Sequence, residues 1–287
     1  MQIIYRPPSE AKSVIIQLTK GCRYNTCTFC GMYKDVKFHI RKISEVKKEI
    51  DYLSAKYRKY NIDRIFFADG DALCLKTDYL KEIFEYANEK FKSLNRIGIY
   101  ATAKDVLNKS EEELKELLNL GLKIVYIGLE SGDQKVLDAI NKKMTVNECI
   151  DAVKKLKKIG ILTSVTLIAG LGSSELSYDH ALNSAKAITK MKPDYLGFLT
   201  LEVEKNTPLY KNISSGDFKL LNADQIMDEF RIFLENVDSQ GTVFRANHAS
   251  NYINLKGTLN FDNKKMIKQI DDAKKSKDYM PEEFRRL

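Results

Sequence analysis

The chain has no tryptophan, and only five prolines and three histidines among its 287 residues. Its five cysteines form no even, regularly spaced framework, which excludes a secreted disulfide scaffold and points to a reducing compartment. No apolar run approaches the ~18–20 residues that a membrane helix needs. The stretch Met1-Gln2-Ile3-Ile4-Tyr5-Arg6-Pro7-Pro8 lacks a basic region followed by an apolar core, so it does not read as a signal peptide. A cytoplasmic location with no membrane partner is expected. Low-complexity segments and sharp linkers are also missing. The net charge of +8 invites a nucleic-acid reading. Its lysines, however, alternate with glutamates from Lys42 to Lys59 and gather as Lys154-Lys155-Leu156-Lys157-Lys158 on a second helical pattern. Without basic–aromatic interleaving these are solvated helix faces, and nucleic acid is not the expected partner.

Apolar runs at Val14–Leu18, Arg64–Ala68, Arg96–Ala101, Lys123–Leu129, Thr163–Ala169 and Tyr195–Leu201 are expected to be strands. Helical spacing separates them, as in Ile43, Val46, Ile50 and Leu53, and returns in Ile226, Phe230, Phe233 and Val237. Repeated strand–helix units form a parallel sheet with helices outside it. Six units are too few for a closed eight-stranded barrel, so the α/β class is expected as a partial, open (β/α)6 TIM-like barrel. Residues 1–212 make the core and 213–287 a helical and loop extension on the same domain. The run Thr242-Val243-Phe244-Arg245 and the helix around Met266 and Ile270 are expected to cap or close the open side. A doubly wound sheet is the alternative, but no Gly-x-Gly-x-x-Gly follows the first strand.

The segment Gly21-Cys22-Arg23-Tyr24-Asn25-Thr26-Cys27-Thr28-Phe29-Cys30 places three thiols at Cys-x4-Cys-x2-Cys directly after the first strand. Three thiolates hold three irons of a 4Fe–4S cluster and leave the fourth open to bind and activate a ligand. Two rivals share the pattern. A ferredoxin-like electron carrier would take Cys74 as a fourth ligand, yet needs nothing like this length of strand–helix repeats. A Cys3His zinc module would take His39, which stands between Phe38 and Ile40 as a core or surface histidine would.

Three strand-end loops carry further candidates. In Asp69-Gly70-Asp71 a glycine flanked by carboxylates suits an ammonium ligand, or is a plain turn. In Gly128-Leu129-Glu130-Ser131-Gly132-Asp133, Glu130 and Ser131 suit ribose hydroxyls or an amine, while Asp133 serves equally as a helix N-cap. In Leu167-Ile168-Ala169-Gly170-Leu171-Gly172 the small residues admit a flat ring or a tight turn. The polar segment Phe244-Arg245-Ala246-Asn247-His248-Ala249-Ser250-Asn251-Tyr252 either satisfies its own backbone or folds over the site. In the second case Arg245 would pair with a substrate carboxylate or phosphate and His248 would move a proton, with Asn247, Asn251 and Tyr252 beside them. Cys149, spaced with Val146 and Val153, is expected to be a packing residue; Cys74 lies closer to the loop of Asp69 to Asp71.

From Ile15 to about Tyr210 the chain resembles the radical S-adenosylmethionine (radical SAM) superfamily. The nearest branch resembles Elongator catalytic subunits, methylthiotransferases and coproporphyrinogen-dehydrogenase-like proteins. The resemblance rests on the cysteine loop with its aromatic Phe29, on Gly128–Gly132 followed by Val136-Leu137-Asp138-Ala139-Ile140-Asn141-Lys142, on Asp69-Gly70-Asp71 and on Asn206-Thr207-Pro208-Leu209-Tyr210. It departs by one added residue between Cys22 and Cys27, and by a single glycine before Asp71 where the family has Gly-Gly-Glu. The resemblance implies that Cys22, Cys27 and Cys30 ligate a 4Fe–4S cluster whose open iron takes S-adenosylmethionine. It implies Asp69, Gly70 and Asp71 at the amine, Glu130 and Ser131 at the ribose or methionine end, and Phe29, Ile168 and Gly170 at the adenine. A 5′-deoxyadenosyl radical would then abstract hydrogen from a small-molecule substrate, with a flavodoxin or ferredoxin as reductant and Cys74 as a candidate hydrogen donor. Methylthiotransfer needs a second cluster that Cys74 and Cys149 are too few to hold. Cobalamin-dependent members carry a domain before the barrel, whereas the first strand here begins near Val14. An oxidase, lyase, mutase or epimerase is the expected reaction type.

Overall fold

The computed structural model describes residues 4–285, so residues 1–3 of the N-terminal stretch lie outside the described residues. The first half forms β1 (Val14–Gln17), β2 (Thr19–Lys20), β3 (His39–Ile40), α1 (Ile43–Lys56), β4 (Arg64–Ala68), α2 (Thr77–Lys90), β5 (Arg96–Ala101), α3 (Ala103–Asn108) and α4 (Glu111–Asn119). There follow β6 (Leu122–Glu130), α5 (Gln134–Ala139), α6 (Val146–Ile159), β7 (Leu162–Ala169), α7 (Ser173–Met191) and β8 (Tyr195–Thr200). The last part holds α8 (Pro208–Ser215), α9 (Ala223–Asn236), β9 (Val243–Ala246), β10 (Leu255–Thr258) and α10 (Asn263–Ser276). All six expected strands form, each within one residue of its expected ends.

The chain divides into two compact units. The first holds the residues up to Asn25, Met32–Ile127 and Asp151–Thr163; the second holds Thr26–Gly31, Gly128–Ile150 and the residues from Ser164 on. The residues from 213 on therefore share a unit with strands of the core rather than standing apart. Among the described residues no helix is long and apolar enough to cross a membrane.

In the first unit the strand order is β1-β4-β5-β6, and the pairs are parallel. Ile16 faces Phe67, Phe67 faces Ile99 and Ile99 faces Val125, which aligns an apolar row across four strands. On one face Phe66, Tyr100 and Tyr126 meet edge to face. On the other, Phe67 stacks on Phe84 of α2 with ring centroids 5.1 Å apart. The spacing of α1 buries Val46 and Ile50 completely, and capping boxes at Thr102/Asp105 and Ser110/Glu113 start α3 and α4.

In the second unit the order runs β6-β7-β8-β9-β10. β9 is parallel to β8, with Gly197 opposite Arg245, and β10 returns antiparallel, with Lys256 opposite Arg245. Thus the run expected as a cap is a seventh parallel strand, and β10 is an eighth strand that the apolar pattern of Leu-Lys-Gly-Thr does not announce. Phe198, Phe230, Phe233 and Phe244 form an aromatic core between this sheet and α9. Met266 and Ile270 of α10 are fully buried.

Candidate functional site

The first unit builds the start of the cysteine loop from the end of β4. Asp69 is fully buried with φ 77°, a left-handed conformation that costs a non-glycine residue about 1–2 kcal/mol. Its Oδ2 accepts from Gln17 Nε2 and from the Gly21 backbone N–H, each at 3.0 Å. The carboxylate thus fastens the segment before Cys22 to β1 and β4. Burial raises its pKa despite bonds from Gln17, Gly21 and Tyr33. Gly70 lies against the first thiol residue: a Cβ there would stand 2.6 Å from Cys22 Cβ and 3.1 Å from its Sγ. Only glycine lets the strand end approach so closely.

Asp71 is also fully buried. Its Oδ1 accepts from the Arg23 backbone N–H at 3.3 Å, and Arg23 Nε lies 3.4 Å from Oδ2, which has no hydrogen-bond partner. Burial, then the nearby Asp105 charge, push Asp71 up to about 7. Arg23 also pairs with Asp105 at 2.5 Å and lies over the Tyr24 ring. At the next turn Asn25 adopts φ 43°, with its Nδ2 donating to Tyr33 O at 2.6 Å and its carbonyl accepting from Lys34. Cys74 borders a cavity of about 360 Å³ lined by Arg23, Asp105, Lys109 and Glu113 among others. Burial, with Asp71 and Asp105, pushes its thiol up to about 12, so Cys74 stays protonated.

The second unit holds Cys27 and Cys30, and two of the motifs read from the sequence brace them. Thr28 N–H donates to Ile140 O at 2.9 Å, and Thr26 and Asn141 exchange side-chain-to-carbonyl bonds at 3.2 Å. From the other side Leu209 N–H donates to Thr28 O at 3.0 Å, and Asn206 Nδ2 reaches Gly31 O at 3.4 Å. A Cβ at Gly31 would stand 2.3 Å from Glu204 Oε2. Phe29 packs on the apolar cluster that includes Ile140, Leu171 and Leu201, with Ile168 beside it.

Glu130 ends β6 with φ 67° and takes a bond from Lys142 at 2.8 Å. Its carboxylate folds back over Gly128, where a Cβ would stand 2.0 Å from Oε1. Glu130 and the nearby Cys27 keep Lys142 charged against the cost of its burial, raising its pKa. Ser131 is fully buried, and its Oγ lies 2.7 Å from His180 Nδ1, which ties the end of β6 to α7. Asp133 caps α5 through Val136 N–H and also accepts from Asn183. Gly170, with φ 89°, gives its N–H to Glu229 Oε2 at 2.7 Å. Glu229 is completely buried and pushed up to about 8, while burial pulls His180 down to about 4. Glu229 and His180 carried no signal in the sequence, because nothing in their neighbourhoods marks a polar residue as buried.

The segment after β9 divides. Arg245 and Asn247 are exposed. His248 is half-buried, its Nδ1 accepts from Ser250 N–H at 3.2 Å, and burial lowers its pKa, so it is neutral at neutral pH. Asn251 and Tyr252, read from the sequence as candidate substrate residues, are buried and bonded to neighbours. Asn251 bonds Thr200 Oγ1 and Phe198 O, which ties the loop to β8; Tyr252 bonds Glu282 and lies under Arg285. Cys149 is buried, as a packing residue should be. His39 is exposed on β3.

Among the described residues no three His, Cys, Asp or Glu side chains gather into a metal-holding group. Cys22 belongs to the first unit, and Cys27 and Cys30 to the second. The donor chemistry still fits an iron–sulfur cluster: three half-buried thiols on one braced loop, with a glycine where any side chain would crowd Cys22.

The fold and this loop define an α/β enzyme of the radical type. The chain belongs to the Radical SAM superfamily, whose family model matches residues 16–185; its members use a 4Fe–4S cluster and S-adenosylmethionine. It is 28% identical over 166 residues to the anaerobic magnesium-protoporphyrin IX monomethyl ester cyclase of Rubrivivax gelatinosus, covering 57% of this chain and 28% of that protein. Its fold is similar to a radical S-adenosylmethionine methyltransferase from Kitasatospora setae solved with cobalamin and a [4Fe-4S] cluster bound (TM-score 0.57, 20% identity, 71% of this chain and 39% of that one). The archaeal Elp3 of Methanocaldococcus infernus shares the fold over 92% of this chain and 63% of its own, with TM-score 0.53 and 17% identity. The chain thus spans well under half the length of the cyclase and of the methyltransferase.

Proposed function

We propose that Cys22, Cys27 and Cys30 hold the cluster and that the chain acts as a hydrogen-abstracting enzyme on a small molecule. The observation that supports this most directly is the construction of the cysteine loop. Asp69 holds Gly21, Asp71 holds Arg23 and Gly70 lies against Cys22 between them. When bound, the cluster and S-adenosylmethionine supply reductive cleavage of a sulfonium bond and removal of a hydrogen atom from an unactivated carbon. The chain's own residues position and shield. Asp71, whose Oδ2 accepts no hydrogen bond and has the Arg23 Nε at 3.4 Å, is the acid placed to receive an ammonium group. Glu130 is the corresponding acid for polar hydroxyls, with Lys142 setting its direction. Phe29 and Ile168 offer an apolar surface to a flat ring, and Gly170 serves by its missing side chain, since its N–H is already taken. Ser131 contributes through position alone. Cys74 remains a thiol, the form that can give up a hydrogen atom.

Anaerobic reconstitution should give close to four irons and four sulfides per chain, in a brown protein that releases 5′-deoxyadenosine from S-adenosylmethionine under dithionite or a flavodoxin. Cys22→Ala, Cys27→Ala and Cys30→Ala should each remove the iron. Stoichiometric zinc in a colourless protein, or iron retained by Cys22→Ala, would overturn the assignment.

A further inference from the structure

On the sheet of the second unit the two faces differ. Leu196, Phe198, Phe244 and Ala246 are buried on one face. The other face carries half-buried or exposed residues in register: Thr166 pairs with Gly197, Gly197 with Arg245 and Arg245 with Lys256. Three features of this row are hard to explain as packing. First, Arg245 and Lys256 are directly opposite across an antiparallel pair, which sets two like charges with Cβ atoms about 5 Å apart, an arrangement that destabilises a sheet. Second, no acidic partner is found for either cation among the described residues, where the Arg245 guanidinium bonds backbone carbonyls only. Third, Gly197 has no steric need to be glycine: a Cβ there would meet nothing closer than Leu199 Cδ1 at 3.8 Å and Thr166 Oγ1 at 3.9 Å. A mid-strand glycine without crowding leaves a hollow in the face, of the kind found where a ligand approaches the backbone.

We propose that this row is a recognition site for an anionic group, a carboxylate or a phosphate, carried by the substrate. Arg245 is already oriented. Its Nη1 donates to Phe244 O at 2.7 Å and to Gly257 O at 3.3 Å, which fixes the guanidinium plane and leaves its other nitrogens for a ligand. Lys256 adds a second charge from the neighbouring strand, and the Gly197 hollow with the Thr166 hydroxyl takes the body of the ligand. Along β7 the row lies two residues, roughly 7 Å, before Ile168. Arg245 stands two strands, roughly 10 Å, across the sheet from Thr166, so an anion bound there shares a face with the apolar surface assigned above to the cofactor's ring but lies well to one side of it. The assignment to substrate rests on that reading, whereas the binding site itself does not.

The test uses the full chain without added cluster, and the probes are inorganic phosphate and succinate. Each is titrated at low ionic strength, with binding read from the arginine Nε–Hε resonances and from the melting temperature. Arg245→Gln and Lys256→Gln are each expected to weaken binding at least tenfold, with Lys264→Gln, an exposed lysine on α10, as the control. Stronger binding of phosphate or of succinate identifies the chemistry of the anionic group. Without any anion, Lys256→Gln should melt at the same or a higher temperature, because it removes a repulsion. Equal weakening by Lys264→Gln, or no binding of either probe by the wild-type chain, overturns the proposal. So does a Lys256→Gln protein that binds normally. Failure of iron incorporation would overturn the cofactor assignment and leave these titrations unaffected.

Discussion

The loops after β4 and β6 both end a parallel strand with an acidic residue in the left-handed region, Asp69 and Glu130, yet they spend their carboxylates differently. Asp69 meets neutral donors, and with Asp71 it is buried deeply enough that both pKa values rise. Glu130 is buried as well, but it meets the cation Lys142 at 2.8 Å. The same strained backbone therefore serves two electrostatic designs. In the first unit, acids are held in the interior to shape a loop, and Asp71 shares the Arg23 guanidinium with Asp105. In the second, the acid is already balanced and its direction is set by its lysine. A cationic ligand has more to gain from Asp71 than from Glu130.

The glycines sharpen this contrast most. At Gly132 of the second unit a Cβ would stand 2.4 Å from Asn183 O and Ser184 Cα, which are backbone atoms of α7 and cannot yield. Gly132→Ala is expected to cost about 3 kcal/mol or more, read as a lower urea midpoint. At Gly70 the nearest atom, at 2.6 Å, is the side-chain Cβ of Cys22, and its backbone Cα stands further off at 3.0 Å. Gly70→Ala should lose less stability but most of its reconstituted iron. Reversal of that order would show that the cysteine loop, not α7, is the rigid element.

A smaller effect is expected from pH. Asp71 titrates near 3.8 when unfolded and at about 7 when folded, so the folded chain binds more protons between those values. Stability contributed by its protonated form is complete below pH 4 and is lost as pH rises to about 7; the loss is on the order of a few kcal/mol. Glu229 acts in the same sense from about 4.5 to about 8. His180, lowered from 6.5 to about 4, has the opposite sign and loses stability as pH falls through that range. Asp71→Asn should therefore flatten the decline up to pH 7, and Glu229→Gln the part that reaches pH 8. Unchanged denaturation midpoints from pH 5 to 8 in the wild-type chain would contradict both burials.

The smallest change is Glu130→Gln, which leaves Lys142 without its acid. It is expected to cost about 1–2 kcal/mol and to weaken S-adenosylmethionine binding severalfold with iron content unchanged. Equal iron loss in Glu130→Gln and Asp71→Asn would erase the distinction between the two loops.

The strands were legible because each is a compact apolar run with turn residues after it. β10 was not, since Leu255-Lys256-Gly257-Thr258 gains its strand character only by pairing with β9. Among site residues, the cysteine loop and Asp69-Gly70-Asp71 could be read locally. Polar residues such as Ser131, Asn251 and Tyr252 could not, because their partners His180, Thr200 and Glu282 lie 49, 51 and 30 residues away. A hydroxyl or amide looks alike in sequence whether it meets a ligand or a neighbour. The motifs Val136–Lys142 and Asn206–Tyr210 carried a physical meaning that the sequence did not state: they clamp the backbone around Cys27 and Cys30.

Asn25 bears on how such a loop can vary in length. It lies within the four residues between Cys22 and Cys27, in a left-handed turn whose side chain and carbonyl are both tied back to Tyr33 and Lys34. The anchors on either side, Arg23 on Asp71 and Thr26 on Asn141, do not depend on the number of residues between them. Each anchor is made within its own unit, so a residue can be added to the spacing at the Asn25 turn while Arg23 keeps Asp71 and Thr26 keeps Asn141.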